Sequence, residues 1–261
     1  MIERVVGVDA FCGGGTQGNL AGVFISKEPL SDNEMQHIAK EYGASETAFV
    51  SGETAPFPLR WFTPTTEVAL CGHGTLAAAF LMWQRSLVDK SKEISFSTKS
   101  GILTTLLLPD DKISMCFPAL SFEPTHAAVN TMRALGISKP LYVGVSKNYL
   151  LVEVESEELL VGLNPNFVDL KKDAQRGFLI TTQSRRAPYD FISRCFFPKE
   201  GIPEDPVTGS AHCVLGPYWK RKLAKDSLLA YQASKAGGEL GIHFESTSVI
   251  LAGEARFSIR R

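Results

Sequence analysis

Two segments half a chain apart carry one pattern, and that repeat constrains the fold of this 261-residue chain more than any other feature. The first is Arg60-Trp61-Phe62-Thr63-Pro64, followed by Glu67 and then Cys71-Gly72-His73-Gly74-Thr75. The second is Arg194-Cys195-Phe196-Phe197-Pro198, followed by Glu204-Asp205-Pro206-Val207-Thr208-Gly209-Ser210. Each reads R-x-F-x-P, an acid among polar residues, a glycine turn and an apolar run. Arg60 and Arg194 stand 134 residues apart, a spacing that predicts two related halves and not an array of short repeats. A strand, a glycine turn and a helix start make an anion cradle. Two such cradles predict one ligand held between two half-domains.

The length allows one large domain or two smaller ones, either able to bury a core without disulfides or metal. A formal net charge of -1 argues against nucleic acid or an anionic membrane as the main partner. The longest apolar stretch, residues 76–83, is too short to span a bilayer. Met1-Ile2-Glu3-Arg4 has no basic region followed by an apolar core and does not read as a signal peptide. The five cysteines are odd in number and without C-x-x-C spacing, which fits a reducing, cytoplasmic setting and no structural zinc.

Strands are predicted over residues 5–8, 21–26, 45–51, 59–63, 93–96, 101–108 and 112–117. Ser31 and Glu34 form a capping box for a first helix that Gly43 stops. Residues 75–83 are apolar on every side, the signature of a helix wrapped all round by sheet. Residues 118–124 read as the crossing into the second half. There a helix is predicted over 125–135, strands over 141–145, 149–154, 177–182 and 189–197, and a short helix near Pro165. A helix from about Ser210 meets Pro217, expected to kink or restart it. Residues 238–261 read as a three-strand meander.

Glu46 is the acid that stands out. In a strand it shares a face with Ala44, Ala48 and Val50, so it is either a solvated strand-end residue or a functional carboxylate. If buried, its pKa should rise, which suits proton shuttling. His73 lies in the first glycine turn, as an anion or carbonyl donor or as a local cap. Asp205 is a second acid or an Asx-type turn residue. Thr208, Gly209 and Ser210 offer hydroxyls and backbone donors at a helix start, and Asn19 could orient a ligand or form a turn. Cys71 is a thiol acid/base or a small buried residue. His212 and Cys213 read as core, His37, His126 and His243 show no ligand spacing, and no metal site is evident.

Read together, these residues resemble the PhzF family of phenazine-biosynthesis-like isomerases. The matching pieces are Val8-Asp9-Ala10-Phe11 with Gly18-Asn19 and Ala21-Gly22-Val23-Phe24; Ser45-Glu46-Thr47-Ala48-Phe49-Val50; Leu59 to Pro64 through Cys71 to Ala77; and Glu204 to Ala211. Leu20 stands where the family commonly has proline. The resemblance implies an α+β, diaminopimelate-epimerase-like fold. In it two pseudo-symmetric halves, here residues 1–118 and 119–261, each curl a mixed or antiparallel sheet around a central helix. It further implies an active site between the halves, no cofactor, and commonly a homodimer. Glu46 matches the family's proton-moving glutamate, with His73 and Asp205 assisting. Asn19, Ser45, Gly72, Gly74, Thr208, Gly209 and Ser210 match positions that would bind a small carboxylate substrate. Related racemases place one cysteine in each half. Cys71 stands near the first position and Pro206 near the second, so a two-thiol racemase lacks a thiol.

The expectation is a cofactor-independent isomerase. A thiol-assisted racemase using Cys71, or a binding protein on the same fold, are the rival readings.

Overall fold

The computed structural model describes residues 4–147 and 149–259. The reading of the N-terminus as no signal peptide therefore falls largely outside it, as does the end of the expected meander. The chain divides into two units, residues 1–117 with 250–261 and residues 118–249. The expected boundary is one residue away, but residues 250–261 belong to unit 1 and not to the C-terminal half.

Unit 1 holds α1 (Asp32–Tyr42), α2 (Gly72–Gln84) and strands β1 (Val6–Ala10), β2 (Asn19–Ser26), β3 (Glu46–Ser51), β4 (Phe57–Phe62), β5 (Glu67–Val68), β6 (Ile94–Thr98), β7 (Gly101–Leu107) and β8 (Ile113–Pro118). Unit 2 holds β9 (Glu123–Pro124), β10 (Tyr142–Ser146), β11 (Tyr149–Glu153), β12 (Gly177–Gln183), β13 (Phe191–Phe197), β14 (Ile202–Asp205), β15 (Ser227–Gln232) and β16 (Gly238–Glu245). Its helices are α3 (Val129–Leu135), α4 (Glu157–Gly162), α5 (Phe167–Leu170) and α6 (Gly209–Leu223). β17 (Ser248–Gly253) returns the chain to unit 1, where β18 (Ala255–Phe257) pairs β1.

Each unit follows the same pairing scheme. In unit 1, β1 runs antiparallel to β2, β2 parallel to β3, β3 antiparallel to β4, β4 parallel to β6, and β6 antiparallel to β7, with β5 folded back on β4. In unit 2 the series β10, β11, β12, β13, β15, β16 repeats every one of those senses, with β14 folded back on β13. The halves are pseudo-symmetric, and the register gives residue equivalences: Phe49 pairs Arg60 as Ile180 pairs Arg194.

Each ladder packs on one apolar helix. Residues 73–79 of α2 are buried, as are Leu81, Met82 and Trp83, and α2 lies against β1, β2, β3 and β18. Each large apolar side chain so covered contributes about 1.5–3 kcal/mol. The opposite face of β2, β3 and β4 takes α1, whose Met35 and Ala39 meet Phe24, Phe49 and Phe62. The Ser31–Glu34 capping box and left-handed Gly43 (φ 73°) close that helix as its sequence requires. α6 packs on β12 and β15 in unit 2.

The elements α4, β5, β9, β14 and β15 were not foreseen in the sequence, and two helices that were foreseen differ in detail. α3 begins at Val129, because Thr125 N–H donates to the Val143 carbonyl (3.0 Å) and holds the preceding residues extended along β10. α6 continues through Pro217. The proline cannot supply the Cys213 carbonyl, and the Leu120 N–H donates there instead (2.9 Å). Among the described residues, no helix is long and apolar enough to cross a membrane.

Candidate active site

The repeated motif proves to be a fork beneath each glycine turn. Arg60 donates from Nε and Nη2 to the two oxygens of Glu67 (2.7 and 2.8 Å) and lies over the Phe62 ring. Arg194 does the same to Glu204 (2.7 and 3.0 Å) over Phe196. Such planar, bidentate pairs fix orientation as well as charge. The outer grip differs. Arg60 Nη1 reaches Asp32 in the first turn of α1 (2.6 Å), while Arg194 Nη1 reaches the carbonyls of Leu160, Val161 and Leu163 at the end of α4 (3.2, 3.2 and 2.8 Å).

In unit 1 the turn above the fork starts α2. Cys71 is its N-cap, and the sulfur accepts the Gly74 N–H at 3.3 Å. Gly74 is required by packing: a Cβ there would lie 2.8 Å from the Trp61 ring and 3.0 Å from the Cys71 sulfur. Its N–H, which the resemblance assigns to a substrate carboxylate, donates to the Cys71 sulfur in this structure. Gly72 and His73 follow the cap, where first-turn N–H groups have no partner within the helix.

The parallel β2–β3 pairing sets Ala21 beside Glu46, which places Asn19 and Glu46 on one sheet face under the start of α2. His73 meets them there. Its Nε2 lies 3.1 Å from Glu46 Oε2 and 3.3 Å from Ser45 Oγ, and its Nδ1 lies 3.4 Å from Asn19 Nδ2. Ser45 Oγ lies 3.3 Å from both Asn19 Oδ1 and the Leu20 carbonyl. The His73 and Glu46 side chains are 7% and 13% exposed. The structure therefore brings together Asn19, Ser45, Glu46 and His73, with Cys71 beside them.

Burial alone would raise the Glu46 pKa, as the sequence suggested. The adjacent His73 charge and hydrogen bonds from His73 and Ser45 outweigh it, and the carboxyl is held below its ordinary value. Burial opposes a charged His73; a charged Cys71 sulfur would raise its pKa, and with that thiol protonated the charge and hydrogen bond of the Glu46 carboxylate are what lift it above the usual value. Burial pushes the Cys71 thiol up, so at neutral pH it stays protonated and Glu46 is the standing counter-charge. A charged ring donates from both nitrogens, so Asn19 must then turn its amide oxygen toward Nδ1.

Unit 2 gathers Asp205, Thr208, Gly209 and Ser210 at the start of α6. Asp205 Oδ2 accepts from Thr208 Oγ1 (2.6 Å) and does not act as the N-cap, which is Thr208. Gln232, fully buried and not singled out in the sequence, pins this turn. Its Oε1 accepts Thr208 N–H (2.8 Å), and its Nε2 donates to the Asp205 carbonyl (2.7 Å). A polar residue ending the apolar strand Ser227–Gln232 was its one sequence signal.

The equivalences show how the halves diverge. Both N-caps correspond, so the residue matching Cys71 is Thr208 and not Pro206, and again no second thiol is present. His73 corresponds to Ser210, which hydrogen-bonds Tyr149. Glu46 corresponds to Gly177, where a Cβ would lie 2.4 Å from the Phe197 ring. In unit 2 an aromatic ring fills the place that a carboxylate takes in unit 1.

The family of phenazine biosynthesis-like proteins (PhzC-PhzF) matches residues 8–261. An uncharacterized isomerase of Halalkalibacterium halodurans is 47% identical over 98% of this chain and 96% of its own length. The crystal structure of a PhzF-family phenazine biosynthesis protein from Enterococcus faecalis superposes with a TM-score of 0.92 at 36% identity, covering 98% of this chain and 97% of that one. A probable proline racemase from Agrobacterium radiobacter shares the fold alone, with a TM-score of 0.61 at 10% identity over 98% of this chain and 91% of that one.

Proposed function

Because this chain belongs to the PhzC-PhzF family of phenazine biosynthesis-like proteins, we propose that it is an isomerase that moves a proton within a small carboxylate-bearing metabolite. Glu46 takes the proton from carbon and returns it elsewhere on the same molecule. The observation that carries this reading is the buried Glu46–His73 contact of 3.1 Å, which keeps a carboxylate ionised and ready to accept a proton.

The resting pair is a weak base, because His73 stabilises the carboxylate form. An incoming substrate carboxylate competes for the His73 N–H and for the positive end of α2. Once His73 is shared, burial dominates at Glu46 and its basicity rises toward that needed for a carbon acid. Asn19 and Ser45 hold the ring in place while the proton is carried. One proton is removed and returned, so nothing is oxidised or reduced, and we include cofactor independence in the proposal on that ground. Asp205 enters as an assisting catalytic residue, and Thr208, Gly209 and Ser210 as substrate contacts, through the family resemblance alone. A cytoplasmic homodimer is the expected setting, and light scattering in solution tests the dimer.

The test is exchange of substrate C–H with deuterated solvent over a panel of small cyclic and amino acids. Glu46→Gln should lower exchange by about 100- to 10,000-fold while binding persists. Undiminished exchange in that variant refutes Glu46 as the base. Cys71→Ser should keep exchanging, since a protonated thiol is a poor base and its counterpart is Thr208.

A further inference from the structure

Glu46 Oε2, His73 Nε2 and Cys71 Sγ are three different metal-ligating atoms gathered in one place. Among the described residues, these three side chains offer ligand atoms that all lie within 4.8 Å of one another. Nε2 is 3.1 Å from Oε2 and 3.9 Å from Sγ. A tetrahedral zinc ion with bonds of about 2.0–2.3 Å separates its ligand atoms by about 3.3–3.7 Å. The sulfur also lies 3.6 Å from Nδ1, so it flanks the ring, and a rotation of the Cys71 side chain toward Nε2 is needed to complete three of four positions. We propose that Glu46, Cys71 and His73 form a site for a soft divalent cation of the zinc class, and that filling it blocks the proton shuttle; the second clause rests on Glu46 being the base.

The chemistry favours that class. Thiolate and imidazole select zinc-like ions over magnesium or calcium, which take all-oxygen sites. A thiolate and a carboxylate carry two negative charges, so a bound dication leaves the buried group neutral. The Gly74 N–H already points at the sulfur (3.3 Å), and the start of α2 favours a thiolate there. Glu46 is 13% exposed, which leaves one ligand open to solvent. The sequence hid this site because Glu46 lies on a strand and the other two ligands on a helix start, with no recognised spacing between them.

The test uses the full chain stripped with a chelator and titrated with Co2+. Wild type should show a thiolate-to-cobalt charge-transfer band that Zn2+ bleaches and Mg2+ does not. Cys71→Ser, whose hydroxyl can still cap α2, should lose the band and bind Zn2+ more weakly by at least about tenfold. Exposed Cys116→Ser should keep the band. A wild-type spectrum without the band, a band surviving in Cys71→Ser, or a band lost in Cys116→Ser overturns the site. Zn2+ should also stop solvent exchange, with recovery on chelation. Continued exchange in a protein whose cobalt band Zn2+ has bleached overturns the blocking clause. A metal-free chain that exchanges no substrate counts against the catalytic reading, and the cobalt band then still decides the metal site.

Discussion

Arg194→Met removes five hydrogen bonds at once, two to Glu204 and three to the carbonyls ending α4. The methionine keeps an apolar stem over Phe196 but donates nothing. The Arg194 and Glu204 side chains are 12% and 22% exposed, which places the pair near the buried limit. Removing one partner of a buried pair costs about 3–5 kcal/mol, against about 0–1 kcal/mol for an exposed one. Allowing for the partial exposure, the expected loss is about 3 kcal/mol, most of it from the stranded Glu204 carboxylate. Glu204→Gln in the same chain removes that charge and should recover part of the loss, a coupling of about 1–3 kcal/mol. Arg194→Lys should not rescue, because an ammonium cannot serve a fork and three carbonyls together. The assay is urea unfolding at constant slope, with hydrogen exchange following the α4 amides. Lys27→Ala, at a pair with side chains 79% and 66% exposed, is the control that should leave the midpoint unmoved. A loss below about 1 kcal/mol for Arg194→Met would refute the view that the repeated motif braces the turns.

Three further outcomes are expected. His212 is fully buried, bonded through Nδ1 to the Thr208 carbonyl (2.8 Å), and burial holds its pKa down at about 4. Its folded value lies below the ordinary one, so the stability it contributes is present above pH 6.5 and is lost as pH falls toward about 4, about 3 kcal/mol in all. His212→Asn keeps a donor to Thr208 without the titration and should flatten that decline in urea midpoints. Gly74→Ala should destabilise by about 1–3 kcal/mol through the Trp61 and Cys71 clashes, whereas Gly162→Ala, with open space around it, should stabilise by about 0.4–1 kcal/mol; thermal unfolding distinguishes the signs. The lowered Glu46 pKa contributes stability above pH 4.5 that is lost as pH falls through its folded value; the raised His73 pKa contributes stability below pH 6.5 that is lost as pH rises through its own. Glu46→Gln should weaken both limbs, and histidine NMR should find His73 deprotonating at lower pH in that variant.

Local rules were legible in the sequence wherever a short segment decides its own structure. The Ser31–Glu34 box, the Gly43 stop and the all-apolar α2 each depend on neighbours along the chain. Glu46 stood out because an acid broke an apolar face, and that face is where His73 arrives. What escaped depends on partners far away in sequence. The sign of the Glu46 shift turns on a histidine 27 residues on, which outweighs the burial that was foreseen. Glu67 and Glu204 read as polar loop acids until the register of β4–β5 and β13–β14 brought each to its arginine. Gln232 had only its place as a polar end to an apolar strand to mark it, and an amide there gains its role only when α6 begins beside it.

Pro217 shows how a deficiency inside a helix can set topology. Pro217 has no N–H to offer the Cys213 carbonyl, and the Leu120 N–H donates to it. Those two residues are 93 positions apart. The connecting segment after β8 is therefore held in part by a helix far along the chain. A contact of that separation raises the contact order of the unit. The proline thus frees one carbonyl as an anchor for the segment entering unit 2, beside the Ala119 N–H on the Thr247 carbonyl (2.9 Å) and the Ser146 hydroxyl on the Ser121 carbonyl (2.6 Å).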